Sequence, residues 1–238
     1  MPHKVAVIPY LDEITPEGKD IGAINTVFLR TGSTGRKLVV GTNTDCIGIR
    51  EAVRQNVSSE KFNSFEGRPG LIVGAGGTAR AAVYSMKKWM KCSKIYFVNR
   101  EETEVDAVMA GCVASGFGDN LIYVADASCA ASLEKPGVIV SAIPDFPPKT
   151  AAEMEARRCL DIMLSEEKGT LLDMCYHPSS NTEVTRLAKS RRWQVVPGVE
   201  AMIWQGVEQA RYWTGKESSE LPVEQVKEVI ARATASGC

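Results

Sequence analysis

A glycine-rich turn between an apolar run and an amphipathic segment constrains the fold of this 238-residue chain more than any other feature. The run LIVGAG (71–76) is typical of a buried strand, and TARAAVYSMKKWMK (78–91) has the apolar spacing of a helix. Gly74, Gly76 and Gly77 lie between the two. Glycine there lets backbone N–H groups approach a pyrophosphate, which then lies at the positive end of the helix. The turn therefore predicts a dinucleotide-binding βαβ unit.

Further apolar runs alternate with amphipathic segments along the middle of the chain. The pattern predicts strands within 94–100, 120–126, 137–144, 171–176 and 193–198, and helices within 101–113 and 182–190. Strand-helix-strand repetition implies parallel strands joined by right-handed crossovers. We therefore predict an α/β fold built on a Rossmann-type, doubly wound parallel sheet.

The two ends of the chain have a different pattern. Residues 22–45 resemble two strands joined by the turn TGSTGR, which predicts a hairpin, and 47–57 has helical spacing. The polar stretch 58–70 is the best candidate for a linker. Near the other end, helices are expected within 200–215 and 222–234.

Composition excludes several classes of function. Lys and Arg total 28 against 29 Asp and Glu, so no broad basic surface for nucleic acid or anionic membrane is expected. No apolar run reaches the roughly 18–20 residues of a transmembrane helix, and the start lacks a secretory signal. Seven cysteines without a CxxC pair and two histidines favour reduced thiols, a cytoplasmic location and no metal site.

The segment after the second strand of the βαβ unit bears on the choice of cofactor. Asn99, Arg100 and Glu101 stand there, followed closely by Glu102 and Glu104. An acidic residue can accept hydrogen bonds from ribose hydroxyls, whereas a ribose 2′-phosphate requires positive charge. Three glutamates beside one arginine therefore favour NAD over NADP. Alternatively, the glutamates only stabilise the first turn of a helix.

Several motifs occur together in one order along the chain. They are PHK (2–4), GAINT (22–26), GTNTD (41–45), VGAGGTARAA (73–82), NR (99–100), DMCYHP (173–178) and G-x-E-A-M-x-x-Q ending at Gln205. Jointly they resemble the shikimate/quinate dehydrogenase family, from the first residues to about Gly215. The MPHK start, Cys46 and the DMCYHP and YWTG segments are most similar to the fungal quinate dehydrogenases.

The resemblance implies two domains and an oxidoreductase. Residues 1–57 would form a smaller α/β substrate domain, completed by the helices of 199–238, and residues 66–198 a Rossmann domain for NAD. The expected reaction is oxidation of the ring hydroxyl of quinate to 3-dehydroquinate, with shikimate, which would give 3-dehydroshikimate, as a second candidate. The expected partner is thus a small hydroxylated ring carboxylate.

The resemblance also implies roles for individual residues. Lys4 and Asp45 would be the catalytic pair. The lysine amine would transfer the hydroxyl proton, and the aspartate carboxylate would orient the lysine. Asn25 and Gln205 would bind substrate hydroxyls, and Tyr176 would lie near substrate and nicotinamide. Without the resemblance, Asp45 would be interpreted as a helix N-cap and Lys4 as a surface lysine. The residues expected to bind cofactor are Gly74, Ala75, Gly76, Gly77, Asn99, Arg100, Glu101 and Gly198.

Two alternatives remain open. One is an NADP-dependent shikimate dehydrogenase domain of a larger aromatic-biosynthesis polypeptide, against which the acidic cluster argues. The other is a non-catalytic sensor of the quinate pathway, against which the Lys4 and Asp45 pair argues.

Family members also carry a further βαβ unit before the lysine motif, with a Ser-x-Ser that binds the substrate carboxylate. We therefore expect a fragment or shortened gene product with a truncated substrate domain.

Overall fold

The computed structural model describes residues 3–164 and 168–235, without the side chains of 233–235. Pro2 of the PHK motif and Cys238 lie outside the described residues. Within the described residues the chain forms one large and one small β-sheet, flanked by helices.

The large sheet has six parallel strands: β4 (Gly70–Val73), β5 (Ile95–Val98), β6 (Leu121–Tyr123), β7 (Val138–Ser141), β8 (Thr170–Asp173) and β9 (Gln194–Pro197). Their order across the sheet is β6-β5-β4-β7-β8-β9. The order reverses between β4 and β7, and ligands bind at such a switch point in doubly wound sheets. The predicted Rossmann-type α/β fold is confirmed.

Helices cover both faces of the large sheet, which explains why its strands are apolar without alternation. They are α4 (Ala79–Lys88), α5 (Glu102–Ala114), α6 (Ala127–Ser132), α7 (Ala151–Met163) and α8 (Glu183–Ser190). Ile72 and Phe97 point into a core shared with α4 and α5, while Leu71 and Tyr96 point into a second core with α7 and α8. Neighbouring residues of one strand are thus buried on opposite faces.

The small sheet contains β1 (Glu13–Ile14), β2 (Thr26–Thr31) and β3 (Lys37–Thr42) in the order β1-β3-β2. The strands β2 and β3 are antiparallel, so the predicted hairpin is confirmed, and Gly35 takes a φ of 81° in its turn. The strand β1 pairs with β3 in parallel. The helices α1 (Pro16–Ile21), α2 (Asp45–Asn56) and α3 (Ser59–Asn63) accompany this part of the chain.

The stretch 58–70 connects α2 to β4 as a packed segment that contains α3, and its role as a linker between two domains stays a prediction. Ser58 caps α3 by accepting a hydrogen bond from the backbone N–H of Lys61. Phe65 is completely buried and meets Phe62 edge to face, with ring centroids 5.9 Å apart. The two aromatic side chains anchor the segment to the core, although its remaining residues are polar.

Two C-terminal helices complete the fold: α9 (Gly198–Thr214) and α10 (Val223–Ala235). The helix α9 follows β9 directly and crosses α2 at very short range. A Cβ atom on Gly48 of α2 would lie only 2.5 Å from the carbonyl oxygen of Ala201. Farther along α9, Tyr212 stacks on Phe28 of β2 with ring centroids 4.4 Å apart. The helix therefore connects the end of the large sheet to the N-terminal elements.

Candidate active site

The predicted catalytic lysine and aspartate are in direct contact, although 41 residues separate them. Lys4 Nζ lies 2.5 Å from Asp45 Oδ2, and the two side chains are only 19% and 12% exposed. Thr44 occupies the N-cap of α2, and Asp45 is the first helical residue. Interpretation of Asp45 as a helix cap therefore does not hold, because its carboxylate is directed to Lys4 and not to its own helix.

A short segment of the GAINT motif holds both members of this pair. The backbone N–H of Ile24 donates to the carbonyl oxygen of Lys4 at 2.7 Å. The next residue, Asn25, donates through Nδ2 to Asp45 Oδ1 at 2.8 Å. One dipeptide thus positions the lysine through its backbone and the carboxylate through a side chain.

The orientation of the Asn25 amide follows from its other hydrogen bonds. Its Oδ1 accepts from the backbone N–H of Thr44 at 2.8 Å and from the hydroxyl of Thr26 at 2.9 Å. The oxygen side is therefore occupied, and Nδ2 must face Asp45. Asn25 contributes mainly to the orientation of the carboxylate.

Gln205 of α9 approaches the same cluster from the opposite end of the chain. Its Oε1 lies 3.4 Å from Asn25 Nδ2, which links residues 180 positions apart. One turn later, Gln209 Nε2 donates to the hydroxyl of Thr44 at 3.2 Å. Sequence reasoning missed Gln209 and Thr44, and the signal available for Gln209 was its position four residues after Gln205 on one helix face.

The cluster combines the groups that alcohol oxidation requires. An amine next to a carboxylate can accept and return a proton, and amide groups can bind hydroxyls. Four side chains from four separate segments of the chain meet here: Lys4, Asn25, Asp45 and Gln205.

A separate cavity of about 270 Å³ opens at the carboxyl ends of β4, β5 and β7. The predicted cofactor residues that line it are Gly74, Ala75, Gly76, Asn99 and Arg100. Gly77, Glu101 and Gly198 are not among its described lining residues. The acidic residues in its wall are Glu104, which accepts from Asn99 Nδ2 at 2.9 Å, and Glu153 of α7.

The glycine turn fits a dinucleotide. Gly74 has a φ of 99°, and a Cβ there would meet Ile143 Cγ2 at 2.9 Å, so both backbone and packing require glycine. At Gly76 and Gly77, no heavy atom lies within 4 Å of the position that a Cβ would take. These two residues leave open space beside the start of α4, where Thr78 makes no side-chain cap. A pyrophosphate can be accommodated in such a turn.

The loop after β8 carries Tyr176, whose side chain is 41% exposed. At Gly198, a Cβ would lie 2.5 Å from the carbonyl oxygen of Asp173 and 2.6 Å from that of Met174. Close packing of α9 on the end of β8 therefore requires glycine at this position, whatever its relation to a nicotinamide.

Asp173 is a buried carboxyl group at the base of this loop that sequence reasoning missed. Its side chain accepts a 2.5 Å hydrogen bond from the Thr182 hydroxyl and a weaker one from the Cys175 N–H. Burial raises the pKa of Asp173, and these hydrogen bonds oppose the increase. The carboxyl group thus fixes the first residues of the loop that carries Tyr176.

We expect Thr182→Val to lower the free energy of unfolding by about 2 kcal/mol, because Asp173 loses a donor and α8 loses its N-cap. Thr170→Val is the matched control. The Thr170 hydroxyl is buried and has no hydrogen-bond partner among the described residues, so its removal should stabilise by about 1 kcal/mol. Urea denaturation measures both, and equal effects would contradict this role of Thr182.

Across residues 3–164 and 168–235, no group of three or more His, Cys, Asp and Glu side chains is arranged to hold a metal ion. No helix in the same residues is both long and apolar enough to span a bilayer. The cytoplasmic location stays a prediction.

Three known proteins are similar to the chain over nearly its whole length. Quinate dehydrogenase of Emericella nidulans is 46% identical over 244 residues, which cover 99% of this chain and 74% of the relative. A Schizosaccharomyces pombe AroM structure, described as dehydroquinate dehydratase and shikimate dehydrogenase, is 27% identical with a TM-score of 0.79. It matches 96% of this chain, which spans 41% of the S. pombe chain.

The third is quinate dehydrogenase from Corynebacterium glutamicum in complex with NAD, which has the same fold. Its TM-score is 0.75 at 22% identity, over 97% of this chain and 75% of that one. No protein-family model matches the chain. The identity to the Emericella nidulans protein, and its coverage, show the relationship: the chain belongs to the shikimate/quinate dehydrogenase family of oxidoreductases.

Proposed function

We propose that the protein oxidises the ring hydroxyl of quinate to 3-dehydroquinate with NAD, and that shikimate is a second substrate. The single observation that carries the proposal is the 2.5 Å contact between Lys4 and Asp45. The 46% identity to a quinate dehydrogenase supports the choice of substrate. We assign the substrate to residues 1–57 with 199–238, and the dinucleotide to residues 66–198.

Lys4 performs the proton transfer. When bound, NAD supplies the acceptor for the hydride that leaves the substrate carbon. The unprotonated amine of Lys4 takes the hydroxyl proton as the carbonyl forms, and the Asp45 carboxylate stabilises the resulting ammonium. In the reverse direction the ammonium returns the proton to the alkoxide oxygen.

Gln205 is the amide that we assign to substrate binding. Its Oε1 is used in the contact with Asn25, which leaves its Nε2 donors available for a substrate hydroxyl. Asn25 acts on the substrate through Asp45, because its own oxygen is already occupied by Thr44 and Thr26. Tyr176, which is partly exposed on the loop after β8, completes the proposed binding site.

The charges around the cavity support NAD as the cofactor. Glu104 lines the cavity, and Arg100 is paired with Glu153 at 2.8 Å. A ribose with free hydroxyls is compatible with these carboxylates, whereas a 2′-phosphate would be repelled. The second candidate is an NADP-dependent shikimate dehydrogenase. The similarity to the S. pombe AroM structure supports shikimate as its substrate and does not bear on the cofactor.

The assay that tests the proposal combines quinate or shikimate with NAD or NADP and follows absorbance of the reduced nicotinamide. We expect quinate-dependent reduction of NAD. Reduction of NADP alone would overturn the cofactor assignment. Binding of quinate without any turnover would overturn the enzymatic proposal in favour of a sensor.

A further inference from the structure

Arg100 follows the carboxyl end of β5 and forms an ion pair with a residue of helix α7, which is distant in sequence. Arg100 is the single basic residue of the segment 99–104, and it lines the cavity. Its Nη1 donates to Glu153 Oε1 at 2.8 Å, across 53 residues of sequence. One nitrogen of the guanidinium is thus already paired, and a 2′-phosphate would have to compete with Glu153 for Arg100.

Glu153 is held in place by the start of its own helix. Its Oε2 accepts from the backbone N–H groups of Lys149 and Thr150 at 2.9 and 3.0 Å, and the Thr150 hydroxyl accepts from the N–H of Glu153. This capping box occupies one carboxylate oxygen and leaves the other for Arg100. The carboxylate therefore cannot turn away without uncapping α7.

The charge of Glu153 persists at any neutral pH. Hydrogen bonds from the backbone N–H groups of Lys149 and Thr150, and from Arg100, lower the pKa of Glu153 to about 2. The other acidic groups that face Arg100 are Glu104 and Glu101, and all three raise the pKa of the guanidinium. Arg100 thus carries its charge among three carboxylates.

We propose that Glu153 is a positioning residue that sets cofactor specificity, because it holds Arg100 and adds negative charge to the adenosine side of the cavity. The inference rests on the proposed function insofar as a nicotinamide dinucleotide is the ligand. Under this proposal, the residue that disfavours NADP lies on α7 and is not one of the glutamates that follow β5.

The test is Glu153→Gln, studied by calorimetric titration with NAD and with NADP, which differ only in the 2′-phosphate. Glutamine at this position retains an oxygen for the capping hydrogen bonds but loses the charge. We expect NADP to bind about tenfold more tightly than to the unmodified protein, because Arg100 becomes available for a charge-assisted hydrogen bond. The affinity for NAD should change less than about twofold.

Two controls separate this effect from a change in net charge or folding. Asp161→Asn removes the same charge from the same helix, where Asp161 pairs with Arg191 at 2.7 Å, and should leave the ratio of affinities unchanged. In the double variant Glu153→Gln/Arg100→Ala, the gain in NADP affinity should disappear. A gain that persists without Arg100 would overturn the proposal, as would an unchanged NADP affinity in Glu153→Gln.

A further variant tests the same idea without touching the helix cap. If Arg100 is already occupied, Arg100→Ala alone should weaken NADP binding less than twofold, and a tenfold loss would overturn the inference. Binding of NAD without oxidation of quinate or shikimate would contradict only the proposed function. Failure of the unmodified protein to bind NAD would overturn both.

Discussion

Lys4→Ala should lower kcat for quinate oxidation about a thousandfold and leave the Kd for NAD within about twofold. Removal of a positioned acid–base group typically costs 10²–10⁴ in rate, and Lys4 is the proposed group. Lys4 does not line the cavity assigned to the dinucleotide, so cofactor binding should be preserved. Steady-state kinetics and calorimetric titration with NAD measure the two quantities separately.

Lys87→Ala is the matched control for Lys4→Ala. Lys87 is also a largely buried lysine in an ion pair, with its Nζ 3.0 Å from Asp119 Oδ2 and 11% of its side chain exposed. It lies on α4 and pairs with Asp119 and not with Asp45, so kcat should be almost unchanged. Parallel losses of turnover and NAD affinity in Lys4→Ala, or comparable losses of kcat in the two variants, would contradict the separate roles.

Gly48→Ala should lower the free energy of unfolding by about 3 kcal/mol and reduce kcat about a hundredfold. The new Cβ would lie 2.5 Å from the backbone oxygen of Ala201, so α2 and α9 would have to move apart. Overpacking of this kind costs about 1–3 kcal/mol, and a backbone neighbour cannot yield by changing rotamer. The same displacement separates Asp45 from Gln205, and misplacement by about 1 Å can cost 10²-fold in rate.

Gly206→Ala, on helix α9, should change the free energy of unfolding in the opposite direction. No heavy atom lies within 4 Å of a Cβ at Gly206, and alanine favours a helix over glycine. We expect stabilisation by about 0.5–1 kcal/mol with little change in kcat. Chemical denaturation and kinetics on both variants provide the check, and destabilisation by Gly206→Ala would contradict the open space found at that position.

The spacing of apolar residues along the sequence predicted those elements of the fold that have a regular apolar pattern. The strands of the large sheet, the hairpin and the helix α9 all appear where apolar spacing and turn residues indicated them. Helix α7 received no prediction, although Thr150 and Glu153 form the capping-box pattern that announces a helix start. This omission also hid Glu153, the partner of Arg100.

By itself, the sequence determined most of the large-sheet strands, the hairpin, the glycine turn and the family resemblance, because these depend on residues that are close together along the chain. Only the tertiary structure decided which distant groups meet. Lys4 reaches Asp45 across 41 residues, and Arg100 reaches Glu153 across 53. Such contacts depend on the order of the strands and on how closely α9 packs against α2 at Gly48. Local patterns of apolar residues contain no information about either, because they specify which face of an element is buried but not which element buries it.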